Sequence, residues 1–408
     1  MEKNGMKSKA LYDFLTGITI IFCLTSIISF SGSAKCSAAG PQPPVTGNDG
    51  LILIPAGSFE MGNHHSDKHG TADELPIHKV TLDAFYMGKY EVTNQEFSDA
   101  LNYANSRGMI DVKSGEVFLK GGSDALFQTS EIKHSKISYD GKNFSPLENA
   151  EKLPATSFGW YGSMAYCNWR SLMNGLQPCY DLKSWTCDFS KNGYRMPTEA
   201  EWEYAARGGA DTYYVFPWGN EPDGTRANLK GLDNPYMAGP IPHLTPAGFF
   251  NGELHKKEDF NWPGNHATFQ TSDGGNGYGL YDMISNVWEW CNDLMLSDYY
   301  ASSPSINPRG PSAEAAAKSS RGRRNTKGGK NEKGGKNAKG GKSAKGGKSG
   351  NDGNRDQGPR IRPIIRGGCW GDIPFHEKYS ARVAERDQAP HTHLRNWTLG
   401  VRVVRAPK

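Results

Sequence analysis

The sequence has few long apolar runs. Apart from one stretch near the N-terminus, its 408 residues contain no series of Val- and Ile-rich segments. The buried strands of a parallel sheet need such segments, so their absence excludes a parallel-sheet enzyme. Hydrophobic residues make up 36% of the chain, whereas glycine (49 residues) and proline (24 residues) are abundant. With 10 tryptophans and 18 tyrosines, aromatic rings must fill much of the core, which favours a fold with modest regular structure.

Cysteine is scarce as well, with 7 residues in the chain. Five of them follow the N-terminal region, and this odd number leaves at least one thiol unpaired or joined to another molecule. No pair has the spacing of a CxxC metal site. Cys179 and Cys187 are close together in a segment with little helical character. We therefore predict a local disulfide between them, as expected in an oxidising compartment.

The N-terminus has the pattern of a secretory signal. Three lysines precede the uncharged stretch 15–30, and small residues follow it. This stretch is shorter than the roughly 20 residues of a spanning helix, which favours a cleaved signal over a retained anchor. We predict a signal peptide at 1–38, a linker at 39–49, and a periplasmic or extracellular protein with no membrane span after cleavage.

The charge is unevenly distributed. Residues 312–358 contain nine lysines and four arginines against four acids, a net charge of +9, which leaves −5 for the rest of the chain. This KGGK-repeat insertion has almost no apolar side chains, so we expect it to be disordered. It is either an arm that binds polyanions or a tolerated loop expansion. No aromatic residues alternate with the lysines, so base stacking and sequence-specific nucleic-acid binding are not expected.

The remainder has the organisation of one domain over 50–406. The segment 102–153 is polar and weakly patterned, and we predict a surface excursion there. Three other segments have apolar residues at helical spacing and end at glycine, namely 93–108, 161–175 and 198–209. The first and the third begin with Thr followed three residues later by Glu, which is a capping box.

Several sequence blocks resemble the formylglycine-generating enzyme (sulfatase-modifying factor) family. These are IPAGSFEMG, DELPIHKVTLDAFYMGKYEVTNQEF, RMPTEAEWEYAARGG, FPWGNE, YGLYDMISNVWEWCND, IIRGGCW, SARVAER and LGVRVVR. They occur in the family's order and span most of the chain. The resemblance implies a compact α+β domain of the C-type-lectin-like type, with short strands, a few helices and much irregular structure.

The resemblance also implies an activity, but the matching residues differ. The family's enzyme converts a substrate cysteine to Cα-formylglycine, with oxygen and with copper held by two cysteines. Those cysteines follow a GGSW-like motif. The positions that match them here are Asp372 and Glu377, or Lys378 for the second when it is counted back from the SARVAER block. Carboxylates are hard ligands, whereas two thiolates select Cu(I), so copper is not expected.

A metal centre of changed character is a second possibility near the same motif. Cys369, Asp372, His376 and Glu377 lie within nine residues and are the candidates for catalysis at such a centre. The alternative is that the three polar residues belong to an exposed loop while Cys369 is a small buried side chain.

Structural calcium is a further implication of the resemblance. Carboxylate and carbonyl oxygens suit a cation that takes six to eight oxygen ligands. The positions that match one family site are Asp282, Ser285, Val287 and Glu289. Asn228 and Leu229 match part of a second site.

Three functions remain open. The protein is a non-catalytic module that binds protein or glycan, a sulfatase-maturing oxidase with a rearranged centre, or another metal-dependent oxidase on the same fold. Aromatic and arginine side chains carry most of the energy of interfaces. The predicted ligand surface therefore consists of Trp370, Phe375, His376, Tyr379, His391, His393, Arg395 and Trp397.

Overall fold

The computed structural model describes residues 45–47, 49–65, 70–132, 134–318, 361–372 and 381–407. Contacts group Pro43–Lys408 into one compact unit. The predicted signal peptide, most of the linker and most of the basic insertion lie outside the described residues. So do four of the predicted site residues, Phe375, His376, Glu377 and Tyr379.

The structure confirms the three predicted helices. They are α1 (Asn94–Ser106), α2 (Trp160–Met173) and α3 (Glu199–Ala206), and a single turn, α4 (Lys257–Phe260), follows. The predicted capping boxes begin α1 and α3, since the Thr93 and Thr198 hydroxyls accept hydrogen bonds from backbone amides three residues later. None of the helices in the described ranges is both long and apolar enough to cross a membrane.

The strands are numerous and short. The longest has seven residues. In chain order they are β1 (Ile52–Ile54), β2 (Gly57–Met61), β3 (His78–Leu82), β4 (Phe85–Met87), β5 (Ile110–Lys113), β6 (Glu116–Leu119), β7 (Ala125–Gln128), β8 (Ile137–Tyr139), β9 (Phe144–Pro146), β10 (Tyr180–Asp181), β11 (Thr186–Cys187), β12 (Leu254–Lys256), β13 (Thr268–Gln270), β14 (Trp288–Leu294), β15 (Pro363–Arg366), β16 (Arg386–Gln388), β17 (Leu399–Gly400) and β18 (Val404–Arg405).

Two of the sheets join distant parts of the chain. One has the order β16-β15-β14-β17, in which β17 is parallel to β14 and the other pairs are antiparallel. The other has the order β1-β4-β18, so a strand near residue 52 and a strand near residue 404 both pair with β4. The α+β class expected from the family resemblance is therefore correct.

The segment 102–153 is more ordered than a surface excursion. It forms the antiparallel sheet β5-β6-β7 and the hairpin β8-β9. Its side chains Val117, Phe127 and Phe144 are buried in the main core beside α1 and α2. Strands of three or four residues are too short for periodicity to reveal them among polar neighbours.

The beginning of the basic insertion also departs from the predicted disorder. Residues 313–318 form a short helix, and Ala316 is buried in the main core. The local sequence SAEAAAK is rich in alanine, the residue with the highest helix propensity, which accounts for this turn.

The predicted disulfide is absent. All five cysteines of the described residues, Cys179 and Cys187 among them, are free thiols. In the β10-β11 ribbon Cys187 pairs with Tyr180, whereas the amide of Asp188 donates to the carbonyl of Cys179. The two cysteines are thus one position out of register, and successive side chains of a strand point to opposite faces.

Aromatic rings fill the core, as the composition predicts. The Phe97 ring stacks on Phe158 at 4.7 Å and on Tyr166 at 5.0 Å between ring centroids.

A second feature is a set of buried arginine–carboxylate pairs that links α3 to the β16-β15-β14-β17 sheet and to the loop before β3. We call this set the ion-pair network; its members are Arg366, Arg382, Arg386, Glu74, Glu199, Glu203 and Glu385.

Candidate functional site

A tight turn leads into β14 and carries the predicted calcium ligands. Asp282, Ser285 and Asn286 have positive φ angles of 56°, 72° and 56°, a backbone form that glycine adopts readily and asparagine and aspartate tolerate. The amide of Ser285 donates to the carbonyl of Gly367, and the amide of Trp370 donates to the carbonyl of Asn286. The turn is thereby fixed against the loop that contains Cys369.

The carboxylate of Glu289 is fully engaged within the protein. Its residue is 1% exposed. The guanidinium of Arg402 donates to both oxygens, with its shortest contact at 2.8 Å. The indole nitrogen of Trp202 donates to Oε2, also at 2.8 Å. Glu289 therefore anchors β14 to α3 and to the segment before β18.

Asp282 lies beside a second buried carboxylate, Glu91. Oδ2 of Asp282 accepts from the Gly248 amide at 2.6 Å, and Oε1 of Glu91 accepts from Nδ2 of Asn286 at 3.2 Å. The other oxygen of Glu91 is buried and receives no N–H hydrogen bond from the described residues, and the carboxyl groups of Glu91 and Asp282 lie within hydrogen-bonding reach of each other. Burial raises the pKa of Asp282 to about 6; burial and then the charge of Asp282 raise the pKa of Glu91 well above its ordinary value.

Glu91, Asp282 and Glu289 form what we call the acidic pocket. Sequence reasoning missed Glu91, which lies far from the other two in the chain. The only signal was its place in the KYEVTN block of the family resemblance. Arg402 acts electrostatically on all three carboxylates, so one guanidinium is shared among them.

The second predicted calcium set lies next to the first. Nδ2 of Asn228 donates to the carbonyl of His243 at 2.5 Å, and Oδ1 accepts from Asn234 at 3.0 Å. The Ser285 hydroxyl donates to the Asn228 carbonyl, which joins the two sets. Leu229 is buried in the core beside α3.

Side chains alone do not complete a metal centre. Within the described ranges, no group of three or more His, Cys, Asp and Glu side chains could hold a metal ion. Calcium also accepts backbone and amide oxygens. The carboxylates of Glu91 and Asp282 and the carbonyls of Ser285 and Val287 are hard donors of that kind. In donor chemistry they suit calcium, while the fully engaged Glu289 is better suited to orient them.

Cys369 is a buried thiol held by its own loop. It is 5% exposed, its amide donates to Oδ2 of Asp372 at 2.7 Å, and its sulfur accepts from the Gly371 amide at 3.4 Å. Burial, followed by the nearby Asp372, raises the pKa of the thiol well above its ordinary value. Such a thiol stays protonated and is a poor nucleophile. The structure thus brings together two of the four predicted catalytic candidates.

Two further buried thiols, Cys291 and Cys167, lie in surroundings different from those of Cys369. The groups that act most strongly on Cys291 after burial are the carboxylates of Asp293 and Glu199. Cys167 belongs to α2, and its strongest electrostatic neighbours after burial are Cys179 and Arg170. The interactions that dominate around each of these thiols do not involve Cys369.

Two tryptophans of the predicted ligand surface meet in a small apolar cluster. Trp370 and Trp397 pack with Leu153, Leu244 and Val287, and we call these five residues the tryptophan cluster. Trp370 is buried, whereas Trp397 is partly exposed.

Histidines border the tryptophan cluster. The His243 ring contacts Trp370 edge-on at 4.9 Å, and the His134 ring contacts Trp397 at 4.0 Å. Nδ1 of His243 lies 3.1 Å from the carbonyl of Tyr236, so in the neutral ring the proton is on Nδ1. The cluster is therefore apolar at its centre and has hydrogen-bonding groups at its edge.

Several buried polar atoms in or next to this cluster lack a partner. They are Nε1 of Trp370, Oγ1 of Thr245 and Oδ1 of Asn396, for which the described residues provide no hydrogen bond. Thr245 follows Leu244 in the chain, and Asn396 precedes Trp397. Buried polar atoms in folded proteins are nearly always satisfied, so these three need partners that the described residues do not supply, such as enclosed water.

Two further residues of the predicted ligand surface have partners outside the tryptophan cluster. Arg395 donates to Glu116 and to the carbonyl of Ala125, both at 3.0 Å. The ring of His393 contacts Tyr161 of α2. These two side chains thus make contacts of their own outside the tryptophan cluster.

Comparison with known proteins identifies the relatives of this chain. It is 28% identical over 299 residues to the formylglycine-generating enzyme of Bos taurus, with 66% of this chain and 63% of that protein covered. It is also 28% identical over 296 residues to the chaperone protein LppX of Paenibacillus barcinonensis, with 67% and 79% covered. The alignment thus spans less than two thirds of the bovine enzyme.

A solved structure and a family model complete the comparison. The structure of Treponema denticola variable protein 1 superposes with a TM-score of 0.47 at 21% identity, covering 88% of this chain and 95% of the other. The model of the sulfatase-modifying factor enzyme 1-like domain matches residues 37–407. The chain belongs to this sulfatase-modifying factor family.

Proposed function

We propose that this protein is an exported, non-catalytic binding module of the family, which engages a protein or glycan partner at the tryptophan cluster. The observation that carries the proposal is chemical. The positions that match the copper-binding cysteines are Asp372 and either Glu377 or Lys378, and no cysteine follows Cys369 in the sequence. Two thiolates are needed to hold Cu(I) in the way the family's activity requires.

The surroundings of Cys369 support the same conclusion. An oxidase rebuilt around this residue needs a thiol that can ionise and reach its substrate. The Cys369 thiol is buried and its pKa is raised. Both properties lower the fraction of reactive thiolate.

The tryptophan cluster has the features of a binding site. Tryptophan is enriched among the residues that dominate binding energy. The unpartnered atoms beside it include a donor, Nε1 of Trp370, and an acceptor, Oδ1 of Asn396. These atoms are closed to solvent, so a ligand contacts the cluster through the partly exposed Trp397 and the His134 ring beside it.

The acidic pocket is connected to this site through Asn286. Asn286 donates to Glu91 and accepts, through its carbonyl, from the amide of Trp370. A calcium ion at Glu91 and Asp282 offsets their charge and fixes the turn that holds Trp370. Its proposed role is structural.

A peptide assay separates this proposal from formylglycine formation. The purified protein is incubated with a peptide that bears the sulfatase cysteine motif, with and without copper, and the peptide mass is measured. We expect no aldehyde above the level of a Cys369→Ala control. Aldehyde formation that depends on Cys369 would contradict the proposed binding function and show that the protein is an oxidase with a rearranged centre.

A second experiment tests the binding site itself. Proteins and glycans retained from the native secreted fraction are compared for the wild type, Trp397→Ala and the control Trp218→Ala. Trp218 is also partly exposed but stacks on Phe216, outside the cluster. A partner retained in near-stoichiometric amount by wild type and Trp218→Ala, and lost with Trp397→Ala, is the expected result. Equal retention by all three variants contradicts the proposed site.

A further inference from the structure

Three aromatic side chains from distant parts of the chain meet on a surface separate from the tryptophan cluster. Tyr161 of α2 and Trp185 of the β10-β11 turn stack with their ring centroids 4.3 Å apart and their planes at 24°. The ring of His393 packs edge-on against Tyr161 at 5.3 Å. All three residues are partly exposed. We call them the aromatic platform.

The loop that carries His393 is held in place by its neighbours. The amide of Trp160 donates to the carbonyl of Thr392 at 3.1 Å. Two residues beyond His393, the guanidinium of Arg395 is fixed by Glu116 and by the carbonyl of Ala125. The platform is therefore preorganised, and little conformational freedom is lost when a ligand contacts it.

The backbone at Trp185 is strained. Its φ angle is +57°, a left-handed form that is a genuine outlier for a bulky residue. Its amide donates to the carbonyl of Asp181 at 2.7 Å, which fixes the turn. Asparagine or glycine fits this backbone at lower cost. Strain of this kind is characteristic of binding sites, where a side chain is kept for its contacts.

The charges around the platform are balanced. Asp124 lies 3.9 Å from Nδ1 of His393, and the charge of Arg395 is offset by Glu116. The turn adds one exposed acid and one exposed base, Asp181 and Lys183. Neither a strongly cationic nor a strongly anionic ligand gains from this arrangement, whereas hydrogen-bonding groups surround the rings.

We propose that the aromatic platform binds a neutral saccharide. A pyranose ring has an apolar face of C–H groups that packs on an aromatic ring and a rim of hydroxyls that bonds to polar neighbours. Trp185 offers the ring, while Asp124 offers an acceptor and the His393 ring offers a hydrogen-bonding nitrogen. Tyrosine and tryptophan give large contact areas at low cost in side-chain entropy.

Binding is measured by titration calorimetry with four soluble probes: cellohexaose, xylohexaose, mannohexaose and chitohexaose (the N-acetylglucosamine hexamer). We expect at least one to bind. Trp185→Asn, which suits the left-handed backbone, should weaken that binding at least tenfold without lowering the melting temperature by more than a few degrees. Trp218→Ala is the matched control and should bind as the wild type does.

The outcomes separate this site from the tryptophan cluster. Trp397→Ala is expected to retain saccharide binding. A negative result for the tryptophan cluster therefore does not decide whether the aromatic platform binds saccharide, and the reverse also holds. Absence of binding to all four probes overturns the proposal, as does equal binding by wild type and Trp185→Asn. Tighter binding of hexalysine than of any saccharide, lost in Trp185→Asn, assigns the platform to cationic peptides instead.

Discussion

The ion-pair network and the acidic pocket bury charge in opposite ways. In the network, Arg366 donates to Glu203 at 2.6 Å, and Arg386 binds Glu199 through two nitrogens at 2.8 and 2.9 Å. In the acidic pocket, three carboxylates share the single guanidinium of Arg402. Both regions contact β14 or β15 in the same sheet. The difference in pairing therefore does not come from a difference in burial.

The two regions differ in whether the buried carboxylates are neutralised by arginines of the protein itself. A buried carboxylate is tolerated when a cation and hydrogen bonds replace its hydration. Burial alone would raise the pKa of Glu203, but Arg207 and Arg366 hold it below the ordinary value. The pKa values of Glu91 and Asp282 move the other way. The pocket therefore needs protons or an external cation, whereas Glu203 in the network needs neither.

The largest expected effect breaks the network. After Arg366→Met, Glu203 and Glu199 each keep one arginine partner instead of two. Both carboxylates are buried. The loss of a partner from a buried pair costs about 3–5 kcal/mol of unfolding free energy. Urea denaturation measures it.

A double variant and a surface pair serve as controls. Arg366→Met with Glu203→Gln should recover part of the lost stability, because it removes the uncompensated charge. Arg226→Met breaks the exposed pair with Asp223 and should cost less than about 1 kcal/mol. If Arg366→Met costs no more than Arg226→Met, the network does not stabilise the fold.

Calcium addition tests the pocket. An ion that binds only the folded protein stabilises it by about 2.7 kcal/mol at a concentration 100 times its dissociation constant. We expect calcium to raise the melting temperature of the wild type and to have much less effect on Glu91→Gln, which removes one charge. Glu258→Gln, an exposed acid, is the control. An equal calcium response from Glu91→Gln would show that Glu91 is no ligand.

Glu385 sharpens the comparison, because inside the network it shares Arg382 with Glu74, each at 2.7 Å. Burial raises the pKa of Glu385 to about 8 despite Arg382. An acid whose pKa is higher in the folded state binds its proton more tightly there, so stability falls as pH rises from about 4.3, the unfolded value, towards 8.

Glu385→Gln measures this contribution. The variant should lose less unfolding free energy than the wild type between pH 5 and pH 8. Parallel pH profiles for the two proteins would mean that Glu385 is already ionised at pH 5.

The smallest effect concerns a cap rather than a charge pair. Thr198→Ala removes the hydroxyl that accepts from the Glu201 amide at the start of α3, the helix that carries Glu199 and Glu203. We expect a loss of about 1 kcal/mol in urea denaturation. Thr198→Ser keeps the hydroxyl and should restore most of it; failure to do so would assign the loss to the methyl group.

The sequence was informative where the signal is local. Capping boxes place α1 and α3, and the motif blocks imply the fold and the turn that holds Asp282. What it could not show depends on register and long-range contact. Glu91 reaches Asn286 only in the folded chain, and the separation of Cys179 from Cys187 follows from the pairing of β10 with β11. Nor could it reveal that His393 and Trp370 face different surroundings.

The β1-β4-β18 sheet has a consequence for the order of folding. Ile52 pairs with Met87, and Met87 pairs with Val404 on its other side. The ribosome delivers these three segments in sequence, so β4 keeps one open edge until the segment around Val404 has emerged. In the meantime the exposed edge is a place where a holding factor can act.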